Sequence, residues 1–459
     1  MAPQPIVLQP LGRALVRSAS PAPIEAAAAS LATYMEGNRW LGANNRYLKE
    51  TVQRLREDLD AGGQLSPINQ KHLRELIAAS AVTHCIDGWA LLGRAVSSTL
   101  LGDPHSARHL AYYAELRGAS SVLARSGIAV LNAQHLVVDA LGTVNPVRRA
   151  WISGGGGTHV AAWLFLQEWS ASPDAAALTS SILVPEGIPL SEWFTGTPAW
   201  ALWRMSASTW LRELGVDVRL MARDQYARNE ASYRPNTLRA DRVLLSATDT
   251  SRFVTELWAM AEPGTRPFEA LDGHVLRVAV ERAYRRAKGA AADLAVPQYR
   301  AEVETLVVHH GLEGAHRDRV ASFLTRDTHV ADPLLLQAAG TASKAINAGH
   351  HLHAMARAAL MLRVATGAAR QMLQNAAIES DLLEFWWQEL ASSRSICNAV
   401  YPQELLDVWA DVTDAIQQVE EYLTGGGDVT FVGLGHPERS AVLHTLAKLE
   451  LAGLVGLLT

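Results

Sequence analysis

The chain has 459 residues, 49% of them apolar and 19% charged, with a formal net charge of −5. A chain of this length buries a sizeable core without disulfides or metal, and its composition is neither disordered nor collagenous. The mildly acidic balance excludes a dedicated nucleic-acid coat, though not a local basic patch.

Two cysteines, Cys85 and Cys397, exclude a disulfide framework and a multi-cysteine zinc site. No window of about 18 residues reads as apolar enough to span a bilayer. The expectation is a cytoplasmic chain with no membrane partner. The N-terminus, MAPQPIVLQPLGRALVRSASPAP, lacks both an acid and an apolar leader core, and reads as an unstructured arm.

Along the chain, Leu48, Val52, Leu55 and Leu59 repeat at helical spacing until Gly62-Gly63. Ser66-Pro67 restarts a helix, with serine as N-cap and proline at the first helical position. That helix is expected to run to about Leu101, where Gly102-Asp103-Pro104 breaks it. His105–Arg125 reads as another helix. Residues 127–131 and 135–139 read as a β-hairpin. Thr158–Trp169 follows as a helix. Short strands are expected at 182–184, 216–220 and 243–245, with helices at 198–214 and 250–261.

The segment 262–267, Glu-Pro-Gly-Thr-Arg-Pro, is the best internal boundary, and everything after it reads as helix. The stripe Leu405, Val408, Val412, Ile416, Val419 and Leu423 marks the cleanest of these helices, 403–423. Most of the tryptophans lie on apolar helical faces and read as core. The fold class is therefore predominantly α, with multi-helix bundles, a small β-hairpin and a few short strands in the N-terminal half. Three units are expected: an arm with the first helix (1–62), a helical region with the hairpin (63–265) and an all-helical region (266–459).

The chemistry is narrowed first by elimination. There is no Gly-x-Ser-x-Gly elbow, so an α/β-hydrolase serine enzyme is excluded. Gly154–Gly157 precedes a helix, but no Gly-Lys-Ser/Thr follows, so it is not a nucleotide P-loop. No cofactor is implied. His105 and His109, four apart, share one helical face and form half a metal site. Glu115 is an unmotivated third ligand, and the acidic residue of a zinc-protease helix is missing at Ser106. A metal-dependent hydrolase is one alternative reading. Further histidine clusters stand at His309-His310 and His350-His351-Leu-His353.

Metal-free RNA cleavage needs an imidazole to move a proton at a 2′-hydroxyl and an arginine to hold the developing phosphorane charge. Arg439 and His444 stand at the Arg-x(4–6)-His spacing that serves this chemistry. With 36 arginines and only 5 lysines, a match of this kind arises by chance. A second element is Arg228-Asn229, with Tyr233 where the histidine would stand and Pro235 just after. Tyrosine is a poor proton shuttle at neutral pH. There the histidine would have to be supplied by the fold.

His109–Arg117, Ser126–Asn132 and His135–Asp139, together with Arg228-Asn229…Tyr233-Arg-Pro235, resemble a set of bacterial helical proteins related to the HEPN superfamily, over about residues 70–260. The resemblance implies a role in mobile-element conflict or antiphage defence. With Tyr233 in place of histidine, it implies a degenerate motif. The arginine bias and abundant alanine also fit a bacterial coding sequence. Residues 437–455 resemble the last helix of a winged-helix module without its wing, and read as a docking helix.

The leading expectation is a component of a bacterial multi-protein system, acting mainly through protein contacts with other members of that system or with copies of itself. RNA, more than DNA, is the nucleic-acid partner considered. The alternative is a metal-independent ribonuclease using Arg439 and His444, or Arg228, Asn229 and Tyr233 with a histidine from elsewhere in the fold.

Overall fold

The computed structural model describes residues 7–60, 65–132, 134–153, 157–195, 218–233, 246–341, 350–396, 407–425 and 430–459. The chain first forms α1 (Pro10–Arg17), α2 (Ala22–Met35), α3 (Thr51–Asp60), α4 (Pro67–Leu100) and α5 (Pro104–Arg125). A small sheet follows, with β1 (Ile128–Leu131), β2 (Gln134–Val138) and β3 (Val144–Val147). Next come α6 (Thr158–Ser170), α7 (Pro173–Ile182), α8 (Leu190–Trp193), α9 (Val218–Tyr233) and α10 (Ala247–Ala261).

Beyond them lie α11 (Glu269–Lys288), α12 (Pro297–His309), α13 (Gly314–Leu324), α14 (Leu334–Gly340), α15 (His350–Asn375) and α16 (Glu384–Ser393). The last helices are α17 (Asp407–Thr424), α18 (Phe431–Leu434), α19 (Ser440–Leu446) and α20 (Glu450–Leu458). The fold is predominantly α with one small antiparallel sheet, as the periodicity implies.

Local chemistry sets several boundaries. The Ser66 hydroxyl accepts from the Asn69 N–H at 3.2 Å, and Pro67 opens α4. The Asp103 carboxylate accepts from the His105 and Ser106 N–H groups at 3.2 and 3.0 Å and opens α5. Both satisfy amides that a helix start leaves unpaired. In the sheet, Ile128 faces Val137 and His135 faces Val147.

The centre is built by α4, α5 and α15, which lie against one another, with α20 against α4 and α15. Trp89 of α4 donates its indole N–H to the Thr366 hydroxyl of α15 at 2.9 Å, and its ring stacks on Phe268 at 5.9 Å. Gly93 lets α4 approach the chain between α19 and α20 so closely that a Cβ there would collide with the Ala447 carbonyl. The apolar core runs unbroken across the 262–267 segment.

Several expectations are corrected. Residues 10–17 are a helix, not an unstructured arm, because Val16 is buried in the core; a second helix, 22–35, follows, with Ile24 and Leu31 buried. The run 182–184 is the end of α7 and an irregular turn, not a strand. The Ile182 carbonyl accepts from Arg363 at 2.7 Å, and the Val184 N–H donates to Asp272 at 3.0 Å. Residues 218–220 are helical, within α9. A third strand, β3, extends the hairpin. The expected elements at 198–214 and 243–245 lie outside the described residues, as do Cys397 and residues 403–406.

The C-terminal apolar stretch is two helices meeting at 43°, and α20 is packed inside this chain. Among the described residues one helix, α4, is long and apolar enough to cross a membrane, contrary to the sequence reading. Of its most apolar window, 67% is buried inside the protein, as in the core helix of a helical bundle.

Candidate functional site

α5 is a buried helix that nonetheless carries Arg108, His109, Tyr112, Tyr113 and Glu115. Their spacings of three, four and seven put most of them on neighbouring faces. α9 contributes Asp224, Arg228, Asn229 and Ser232. The start of α15 contributes His350, His353 and Arg357, and the start of α6 contributes His159 and Trp163. Polar groups on helices otherwise rich in alanine and leucine must find partners when buried. Here they find one another, in two layers.

The inner layer is charged and closed to water. Arg357 donates Nε and Nη2 to the two oxygens of Asp224 at 2.8 and 2.7 Å. The His350 Nε2 lies 3.0 Å from Asp224 Oδ1. Glu115, 0% exposed, lies 3.5 Å from Arg357 Nε. Burial raises the pKa of Glu115 well above the usual carboxylate value, and the neighbouring Asp224 charge raises it further. Burial acts on Asp224 too, but the bond from His350 and the charge of Arg357 outweigh it and hold its pKa low. The layer therefore favours the ionised form of one carboxylate and the protonated form of the other around a single guanidinium. Burial also lowers His353 to about 4, with Arg357 as the next cause.

One turn outward, Arg228 is only 8% exposed. It donates to the Tyr113 hydroxyl and, at 2.7 Å, to Asn229 Oδ1. Its guanidinium lies 5.0 Å from the centre of the Tyr113 ring and 5.8 Å from that of Tyr112, within cation–π range. Its Nε is buried and donates to no acceptor among the described residues.

Two histidines lie against the two tyrosines that hold this arginine. His109 packs on Tyr113 at 5.0 Å between ring centres, and its Nδ1 is 2.7 Å from the Ser232 hydroxyl. His159 stacks on Tyr112 at 5.6 Å, and its Nδ1 is 2.8 Å from the Tyr112 hydroxyl. Burial lowers the pKa of both, and the Arg228 charge lowers each further. Both are therefore neutral at pH 7. A neutral imidazole accepts a proton, and a guanidinium beside it stabilises a forming oxyanion.

The structure thus brings Arg228, Asn229 and His109 together and supplies His159. It leaves Tyr233 outside, pointing into solvent at 76% exposure. Arg439 donates to the Gly433 carbonyl at 2.7 Å and lies over the Tyr422 ring at 4.0 Å. His444 is exposed on α19. No hydrogen bond or ring contact joins that pair among the described residues. Neither His105 and His109 nor any other group of three or more metal-ligand side chains converges among them. His135 is buried on β2 against the Phe165 ring, at 5.5 Å.

His159, Asp224 and Arg357 escape a reading of spacings because each comes from a different helix. The available signal was a charge or imidazole recurring on an otherwise apolar helix. No family model, curated protein or solved structure matches the chain.

Proposed function

We propose that this chain is a metal-independent ribonuclease, with its site where α5, α6 and α9 meet. The observation that supports this most is the placement of two neutral histidines against the two tyrosine rings that hold the buried Arg228. His109 takes the proton of an RNA 2′-hydroxyl, and the freed oxygen attacks the adjacent phosphorus. Arg228 holds the charge on the non-bridging oxygens. His159, in its protonated fraction, returns a proton to the departing 5′-oxygen. The products are a 2′,3′-cyclic phosphate and a 5′-hydroxyl, so atoms and charge balance without a metal. The resemblance to HEPN-related proteins supports the same chemistry, with the histidines drawn from α5 and α6. It also supports a setting in a bacterial defence system with partner proteins.

A second reading is a non-catalytic component acting through protein contacts. It is favoured by the bonds that already engage both Nη atoms of Arg228. One experiment separates the two. Labelled single-stranded RNA is incubated with the purified chain in EDTA, and its ends are mapped. Ribonuclease function predicts cyclic-phosphate ends and a loss of about 100-fold or more in His109→Ala, His159→Ala and Arg228→Ala. Absence of cleavage, or cleavage untouched by all three substitutions, leaves the contact-based reading.

A further inference from the structure

Far from that cluster, the second half of α15, the end of α7, the start of α11 and α20 enclose a cavity of about 230 Å³. Three of its lining residues are arginines: Arg266, Arg363 and Arg370. Arg363 is buried and rigidly held. It donates Nε and Nη2 to the Asp272 oxygens at 2.9 and 2.7 Å, and Nη2 also reaches the Ile182 carbonyl. The Phe268 ring lies 5.1 Å from its guanidinium. Asp272 also accepts the Val184 N–H, and so is held by three donors. The Arg363 Nη1 takes no hydrogen bond among the described residues.

Arg370, one helical repeat of seven along α15, has no aspartate or glutamate side chain as a partner among the described residues. Its one hydrogen bond there goes to the Thr459 carbonyl at 2.8 Å. Burial, and then the like charge of Arg363, hold it below the ordinary arginine range. Arg266 closes the third side. Its guanidinium fills the space beside Gly187, whose φ of +84° and missing side chain make the contact feasible. The remaining acid at the cavity, Glu269, turns its Oε2 to the Thr265 N–H and hydroxyl at 2.7 and 3.1 Å. Three guanidinium groups against two acidic side chains make the side-chain lining of this partly enclosed space net positive. Guanidinium forks match the tetrahedral oxygens of phosphate.

We propose that this cavity binds a phosphate group, free or as the phosphomonoester of a small molecule, between Arg266, Arg363 and Arg370. The site is separate from the histidine cluster and does not depend on its activity. Its probe is inorganic phosphate, titrated calorimetrically into the full chain at constant ionic strength, with acetate as the competing oxyanion. The expected result is one phosphate site per chain, with acetate binding at least about tenfold more weakly.

Arg266→Gln and Arg370→Gln each remove a charge-assisted hydrogen bond and should weaken phosphate binding about tenfold or more. Arg266 is exposed, so that variant keeps its fold, and an unchanged melting temperature in chloride checks this. Arg439→Gln, at a distant arginine, should bind as the parent does. No phosphate binding by the parent, equal binding of acetate, or unchanged affinity in the Arg266 and Arg370 variants overturns the proposal.

Discussion

Arg357 of α15 grips both oxygens of Asp224 on α9, at 2.8 and 2.7 Å, with neither side chain open to water. A pair this deeply buried is costly to break from one side, because the surviving charge loses its partner but stays desolvated. Asp224→Ala and Arg357→Ala should each lower unfolding stability by about 3–5 kcal/mol. Urea titration would show a lower midpoint at an unchanged slope. A loss under about 1 kcal/mol in both variants would refute the account of the inner layer.

Glu115 makes the opposite contribution. Its folded pKa is raised, so between the unfolded value of 4.5 and that higher value the native state holds a proton the unfolded chain has released. Stability due to this group is present below 4.5 and is lost as pH rises through that window. Asp224, held low, contributes stability above 3.8 that is lost as pH falls through its folded value. Glu115→Gln mimics the protonated acid. Its stability relative to the parent should rise steadily from about pH 4.5 upward. Parallel curves for the two proteins across pH 4–8 would contradict the assignment.

Arg228 depresses both neighbouring imidazoles. Arg228→Gln removes that charge, so the His109 and His159 titrations should move up toward the ordinary value of 6.5. Proton NMR of the imidazole C2–H signals reads this without reference to activity. In the parent, the base-dependent limb of RNA cleavage should rise below pH 6.5 and be flat at pH 7. No upward movement of either histidine in the variant would show that the arginine does not set their protonation.

Gly93 and Gly340 give a paired packing test. A methyl group at Gly93 runs into the Ala447 carbonyl, which belongs to the backbone and cannot swing aside. Gly93→Ala should cost about 1–3 kcal/mol. At Gly340, the last residue of α14, a Cβ meets nothing within 4 Å. Gly340→Ala should stabilise by about 0.4–1 kcal/mol through the unfolded chain. Thermal melts of the two variants should therefore shift in opposite directions.

What was legible in the sequence was what a few adjacent residues decide. Ser66 and Asp103 bond to amides two or three positions away, and their caps were visible as written. The hairpin of β1 and β2 was visible in its alternation. β3 was missed because Pro146 argues against a strand, yet it stands in an outer strand of the sheet, where a missing N–H is tolerated. The run 182–184 has β-branched residues that suit a strand. Its conformation is instead set by Arg363 and Asp272, from helices far along the chain.

The candidate site follows the same division. His109 was noticed as half of a metal site, and Arg228 as a residue whose histidine would have to come from elsewhere in the fold. Tyr112 and His159 are 47 positions apart and Asp224 and Arg357 are 133 apart, so no spacing rule links them. The motif around Arg228 carries Tyr233 where a histidine would stand, and the sequence could not say which histidine the fold brings instead. The imidazoles beside Arg228 come from two other helices.

The bond from Trp89 to Thr366 spans 277 positions. During synthesis α4 and α5 emerge as neighbours and can pair at once, but the third wall of their core is still unmade. Until α15 arrives, Trp89 and the helix faces around Gly88 and Gly118, which meet Thr366, Leu362 and Met361, remain without their final cover. Long-range closure of this kind slows folding and exposes apolar surface along the way. The vulnerable species in the life of this protein is therefore the nascent chain that ends between the two partners of that one hydrogen bond.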